Sequence, residues 1–291
     1  MNTTTVLVQT LLNGLVLGSL YFLMAIGFTM VFGIMRVINF AHGEFYMIGA
    51  FAISFLFGQM QIPFLLALLI VGLLVGLLGV GVERLIFKPF QGDELNGMIA
   101  SLGLSIIAVN VALVVFGPSP WAVPSFVSGV FRMGNIVLPW SRLVAFSLAV
   151  IVLVGFWFFI RFTKYGRAMR ATVQDEQAAK LQGIDVNKIY PMAFGIGVCF
   201  AGIAGGIMGP LFAVDPFMGL TPLVKAFIVV IIGGLGSVVG AVVAGIGLGL
   251  FESFTSTFFG AAVTDFLQFA LVIAVLLIKP TGLFGEIEAK P

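Results

Sequence analysis

Four polar residues sit close together in an otherwise apolar stretch of this chain: Asn39, His42, Glu44 and Tyr46. They bring an amide, an imidazole, a carboxylate and a phenol into eight residues. Such a set could line an inner gate and hydrogen-bond a small zwitterionic solute. The same residues also suit a plain turn between two helices. There Asn39 would cap a helix start, Gly43 would permit a bend, and Glu44 would sit favourably at a helix N-terminus. A second polar series, Ser101, Ser105 and Asn110, falls roughly on one helix face by its spacing. It could face a solute path or make hydrogen bonds between helices. His42 is the only histidine and Cys199 the only cysteine, so no cluster has metal-ligand spacing and neither a metal nor a cofactor is expected.

The elements that must position these groups are membrane helices. Of the 291 residues, 60% are hydrophobic and 9% charged, against about 25% charged in soluble domains. The net charge of +2 gives no reason to expect a nucleic-acid partner. Apolar runs lie near 6–34, 45–60, 63–82, 98–116, 143–160, 191–213, 237–254 and 262–278, with a shorter one at 224–233. A bilayer crossing takes about 20 such residues. The expected fold is therefore an all-α polytopic bundle of eight or nine transmembrane segments, one of them short and broken, over a single domain 1–291. The first run lacks a preceding basic region, so it is expected to stay as a spanning helix and not to be removed as a signal peptide. Pairs such as Gly14/Gly18, Gly72/Gly76, Gly202/Gly206, Gly205/Gly209 and Gly236/Gly240 permit close backbone contact.

Lys and Arg mark the cytoplasmic side. Segment 161–190 carries six of them, and 83–97 carries Arg84 and Lys88. Both are expected inside, with the Pro- and Trp-containing loop 117–141 and the amino terminus outside and the carboxyl terminus, bearing Lys279 and Lys290, inside. Only Arg132, Arg142 and Lys225 then fall outside. Those three, with Asp215, Glu252 and Asp265, read as solvated loop ends or snorkelling side chains, or as contacts for an external binding protein.

Residues 167–182 lack Gly and Pro and predict one amphipathic helix stopped by Gly183. It is either a solvated connector or a docking helix for a cytoplasmic partner. Gln177-Ala178-Ala179 followed by Gly183 resembles the E-A-A-x-x-x-G core of the ATPase-docking loop of ABC importer permeases. Gln replaces the usual Glu, and Ile189 and Pro191 come sooner than in the best-known class, which points to a different one. The stretches V-I-N-F-A-H-G-E-F-Y-M-I-G-A-F (37–51), E-R-L-I-F-K-P-F (83–90), S-L-G-L-S-I (101–106), K-Y-G-R-A-M-R-A (164–171), I-G-G-L-G-S-V-V-G-A (232–241) and K-P-T-G-L-F-G (279–285) resemble LivH-type branched-chain amino acid permeases, in the same order along nearly the whole chain.

That resemblance implies a permease in the bacterial inner membrane, paired with a second, LivM-like permease. Two cytoplasmic ATPases and a periplasmic or lipid-anchored solute-binding protein would complete the importer, whose relatives carry amino acids, urea or short amides. It makes Arg167, Arg170, Gln177, Ala178, Ala179 and Gly183 candidates for ATPase coupling. By residue type and spacing, Asn39, His42, Glu44, Ser101, Ser105 and Asn110 are candidates for the path or gate. No G-x-x-x-x-G-K-[ST] phosphate loop is present, so ATP hydrolysis by that route falls to a partner. A secondary carrier or channel is the alternative, but it would favour charged residues along the path or an inverted repeat, and neither is evident. An intramembrane Ser protease would need a Ser–His pair at depth, and the one histidine lies near a predicted interface.

The topology has a direct check. Cysteines introduced at Lys180 and Ser125 are expected to react with membrane-impermeant reagents from opposite sides. Labelling of Lys180→Cys from outside intact cells would overturn it.

Overall fold

Eleven helices account for most of the described chain, and their arrangement follows from how much of each is wrapped by its neighbours. In this computed structural model residues 3–285 are described, apart from Asn135; Lys290 therefore lies outside the described residues. The helices are α1 (Thr3–Met35), α2 (His42–Ile53), α3 (Phe64–Val82), α4 (Glu94–Phe116), α5 (Trp140–Phe162), α6 (Lys164–Gln174), α7 (Glu176–Leu181), α8 (Val186–Met208), α9 (Leu220–Gly233), α10 (Val238–Phe259) and α11 (Ala261–Ile278). π-Helical turns lengthen α2 to Gln59 and α3 to Phe87. Among the described residues, seven helices are long and apolar enough to cross a membrane: α1, α3 with its extension, α4, α5, α8, α10 and α11. Together with the shorter α2 and α9 they form the expected all-α bundle. Beside them, 117–141 holds a small antiparallel hairpin, β1 (Val130–Met133) with β2 (Ile136–Pro139), which the sequence reading did not foresee.

α1 and α8 form the centre of the bundle and are largely buried, whereas α4, α5 and α11 are largely exposed. The exposed faces are apolar: Val114 is 87% and Leu277 80% accessible. In water such a surface would drive association, and in a bilayer it meets acyl chains instead. Small residues let the central helices touch. A Cβ added at Gly18 would lie 2.7 Å from Cα of Ile246 on α10, and one at Gly49 of α2 would lie 2.1 Å from the carbonyl oxygen of Gly202 on α8.

The chain between α1 and α2 is not a turn at the bundle's edge. Arg36 takes a positive φ of 57°, and 37–41 then climbs beside α4. Val37 packs on Gly97, the amide of Phe40 donates to Ser101 Oγ at 3.0 Å, Ser105 Oγ donates to Glu44 Oε1 at 2.8 Å, and Phe51 stacks on Phe116 with centroids 4.1 Å apart. From Gly97 to Ser105 the helix rises about 12 Å, and Ser105 is the midpoint of α4. So α2 begins halfway through the bundle.

α9 is the second interrupted element. Its 14 residues span about 21 Å, short of a hydrocarbon core of about 30 Å. The preceding segment enters from the end where Val214 pairs with Trp121. The amino-terminal end of α9 then abuts that of α2, and a Cβ on Gly43 would lie 2.4 Å from the carbonyl oxygen of Gly219. At its other end the carbonyls of Ile232 and Gly233 accept the amides of Leu283 (2.8 Å) and Phe284 (3.0 Å). Those bonds satisfy groups a helix terminus leaves open.

Lys225 fixes α9 sideways. It is not a solvated or snorkelling side chain but is buried at 6% exposure. Its Nζ lies 3.1 Å from Glu252 on α10 and 3.3 Å from Asp265 on α11, and it donates to Gln268 Oε1. Glu252 also accepts from Tyr21 of α1 (3.0 Å) and from Gln268 (2.6 Å). Five side chains from four helices thus close one polar network. Arg142 likewise finds a partner, donating to Asn13 Oδ1 at 2.8 Å.

Removing one member of a buried ion pair costs about 3–5 kcal/mol because the other charge is left bare. Lys225→Met is therefore expected to lower the detergent-solubilised melting temperature markedly. Lys225→Met/Glu252→Gln should recover part of the loss. Equal destabilisation by the single and double variants, measured by thermal unfolding, would show that the network does not hold α9.

Candidate functional site

The junction of the α2 and α9 amino termini carries the polar groups that the sequence singles out. Asn39 is 1%, His42 0% and Glu44 6% exposed. Asn39 does not cap α2: its Oδ1 accepts from the amide of Ala41 at 3.0 Å, two residues on, inside the non-helical stretch. His42 is the first residue of α2, and its Nε2 lies 3.2 Å from the carbonyl oxygen of Met24 on α1. Since a carbonyl only accepts, that nitrogen is the donor, and in the neutral ring Nδ1 then carries the lone pair. The ring also meets Phe28 edge-on, with centroids 5.5 Å apart. Glu44 lies in the first turn of α2, where the helix dipole favours a carboxylate.

Three polar atoms of this cluster are buried without a partner: Asn39 Nδ2, His42 Nδ1 and Glu44 Oε2. They offer one donor and two acceptors in six residues of chain. Buried polar groups are rarely left open, because each costs free energy unless something bonds to it. An aromatic group lies alongside: Phe227 of α9 packs on Phe28 (4.6 Å between centroids) and on Phe40 (5.6 Å). Polar atoms next to an aromatic wall can bind a molecule with a charged end and an apolar end.

The structure brings Ser101 and Ser105 into this site and leaves Asn110 out. Ser101 Oγ donates to the carbonyl of Met98 at 2.7 Å while accepting from Phe40, so it closes the backbone of the break. Ser105 holds Glu44. Asn110 is exposed on the outer side of α4 and donates to its own helix, at the carbonyl of Ile106 (2.8 Å). The expectation that His42 lies near an interface is corrected by its neighbours. Gly27 packs on Gly197, the midpoint of α8, and a Cβ on Gly27 would also lie 3.2 Å from His42 Cε1.

The basic loop differs from expectation as well. One helix over 167–182 is predicted; two are found, α6 and α7, meeting at Asp175. Its backbone is extended (φ −156°, ψ 109°) and its Oδ1 accepts from the amide of Ala178, at 2.9 Å. The side chain competes successfully for that amide, which starts a new helix. Arg167 and Arg170 belong to α6 and turn back to α5, donating to the carbonyls of Phe162 (3.3 Å) and Ile160. These are the open carbonyls of a helix C-terminus, where cations are favoured.

On α7, Gln177 and Ala178 are exposed and Ala179 is buried. Gly183 ends the helix at φ +80° with open space around it. Glu176 accepts from Lys180 at 2.6 Å, which holds its carboxyl below the usual carboxylate range. Between α6 and α7 lies a notch of about 170 Å³ whose lining includes Ala171, Gln174, Ala178 and Gln182.

The Lys225–Glu252–Asp265–Gln268 network was missed as a unit by the sequence reading. Its signal was present: Lys225 and Glu252 interrupt apolar runs, and ionisable residues at such depth normally pair.

The family model for the branched-chain amino acid transport system permease component matches residues 10–276. The chain is 36% identical to the high-affinity branched-chain amino acid transport system permease protein BraD of Pseudomonas aeruginosa, over 97% of each chain. It is 33% identical to the corresponding permease LivH of Escherichia coli K12, over 97% of this chain and 96% of that one. A probable LivH of Methanocaldococcus jannaschii is 26% identical over 94% of this chain and 91% of that one. No solved structure matches. By the extent of the family match and the identity across nearly the full length, this multi-pass membrane protein belongs to the family of branched-chain amino acid transport permease components.

Proposed function

We propose that the chain is the permease subunit of an ABC importer and moves branched-chain or related amino acids by alternating access. The observation that carries this reading is the junction at 39–44. It sets a carboxylate, an amide and an imidazole with open bonding positions at half depth, beside two helix amino termini and an aromatic wall. A zwitterionic amino acid matches those features. Its ammonium would face Glu44, its carboxylate the positive ends of α2 and α9, and its aliphatic side chain Phe28, Phe40 and Phe227. Ser105 orients Glu44 and Ser101 keeps the break closed. Asn110, on the outer face of α4, is assigned to a neighbouring subunit instead of the path.

The reading also assigns the partners. Segment 161–190 is cytoplasmic, 117–141 external. A second LivM-like permease completes the path, two ATPase subunits dock on α7, and a solute-binding protein delivers the solute from outside. The notch beside Ala178 takes a protruding side chain of the ATPase, while Arg167 and Arg170 anchor α6 to α5 so that motion of α7 is passed to the bundle.

Two experiments separate these parts. In proteoliposomes holding the whole importer, Glu44→Gln is expected to lower uptake at limiting leucine on the order of tenfold to a hundredfold. That range corresponds to a lost charge-assisted hydrogen bond of about 1.5–3 kcal/mol. His42→Gln should retain substantial uptake, and collapsing the proton gradient at constant ATP should leave the wild type unaffected. Undiminished uptake in Glu44→Gln would remove the site, and loss of uptake on collapsing the gradient would favour a carrier.

For coupling, Ala178→Glu and Gly183→Trp are expected to separate ATP hydrolysis from uptake while the bundle stays folded. Normal uptake with normal ATPase assembly in both variants would remove α7 from that role.

A further inference from the structure

A groove of about 500 Å³ runs down the outer wall of the bundle between α3 and α8, and the transport site does not use it. Its size is that of a ligand pocket, about 300–1,000 Å³. The floor is made by glycines of both helices, Gly72, Gly76 and Gly195, with Cys199 beside them. Leu73 and Leu77 form a rim and are 63% and 59% exposed. The apolar part begins near the middle of both helices. Along α3 from Gly72 to Arg84, or along α8 from Cys199 to Lys188, the distance is about 16–18 Å. One leaflet of the hydrocarbon core, half of about 30 Å, has nearly that depth.

Charge appears only at one end of the groove. Arg84 and Lys188 are its two charged lining residues, and Tyr165 from the first turn of α6 adds a hydroxyl. Both cations are exposed. Two carboxylates lie near them. Glu83 is buried and takes its bond from Gln91 at 2.9 Å. Asp185 meets Lys188 at 3.0 Å, but both partners are well exposed, and such pairs contribute only about 0–1 kcal/mol.

We infer that this groove is a binding site for one anionic phospholipid in the leaflet at the basic end of the bundle. An acyl chain lies on the glycine floor, and the phosphate is held between Arg84 and Lys188 with Tyr165 donating to it. Two cations at headgroup level above an apolar slot one leaflet deep are complementary to that ligand and not to a zwitterionic headgroup.

The test is native mass spectrometry of the purified permease with its co-purifying subunits, titrated with phosphatidylglycerol or phosphatidylethanolamine of matched acyl chains. Preferential retention of phosphatidylglycerol is expected. R84Q/K188Q should weaken its binding about 25-fold, about fivefold per cation removed, from about 1 kcal/mol each, without changing phosphatidylethanolamine binding. L77W, which fills the slot, should lower the occupancy of both lipids. K88Q, an exposed lysine outside the groove, should change neither. If R84Q/K188Q does not assemble, K188Q alone should still show the fivefold loss. Equal retention of the two lipids, or unchanged phosphatidylglycerol binding in R84Q/K188Q or K188Q, overturns the proposal. So does cross-linking of a cysteine at Leu73 to a neighbouring subunit, which would assign the groove to a protein interface.

Discussion

Every backbone amide and carbonyl at membrane depth must find a partner within the protein, because hydrocarbon offers none. An uninterrupted helix meets this demand by itself. The stretch 36–41 does not, and the surrounding bundle is arranged around that fact. Asn39 bonds the amide of Ala41, Ser101 of α4 bonds the amide of Phe40, and Phe227 of α9 packs on the Phe40 ring. The glycines that bring α8 onto α1 and α2 serve the same end, since larger residues would hold the helices apart and leave the break open. Interrupting a span is costly unless it places something useful at depth. Here it places the amino terminus of α2, with Glu44 in its first turn.

The second interrupted element raises the electrostatic stakes. α9 presents its own amino terminus to that of α2, so two positive dipole ends meet in a medium that screens them poorly. Lys225 follows within the second turn of α9 and adds a full positive charge. Glu252 and Asp265 offset both, and Gln268 and Tyr21 complete the bonding of Glu252. Nearly all members of this network belong to helices that also pack on α9 or its neighbours, so the position of α9 and the neutralisation of its charge are one problem with one solution.

Beyond the end of α5 the design changes from burial to capping. Thr163 caps α6, with its Oγ1 2.9 Å from the amide of Gly166, and Asp175 caps α7. Arg167 and Arg170 tie α6 to the last carbonyls of α5. α6 is thereby fixed to the bundle, whereas α7 is joined to it through one extended residue and a glycine at positive φ.

The sequence alone determined the class of solvent and the approximate spans. Long apolar runs can be satisfied only by helices in lipid, and that constraint acts locally. Run 98–116 became α4 and run 262–278 became α11 within a few residues for this reason. The sequence also marked Asn39, His42, Glu44, Ser101 and Ser105, since polar groups in apolar runs are conspicuous. Depth was decided only by the tertiary structure. The interval 35–44 looks like a turn because a short polar interruption reads the same whether the chain stays at the surface or re-enters the bundle; contacts with α4 and α8, far away in sequence, settle which. The same holds for Asn110, whose spacing matches Ser101 and Ser105 but whose face is set by how α4 is rotated against its neighbours. Lys225 reads as a loop-end charge until α10 and α11 bring Glu252 and Asp265 beside it. Asp175 divides a helix that propensity would run through, because a side-chain acceptor in reach of the amide of Ala178 outweighs a few tenths of a kcal/mol of helix preference. Periodicity and composition report on what each residue's own surroundings must be, while depth, rotation and ion pairing are properties of residues that meet only after the chain has folded.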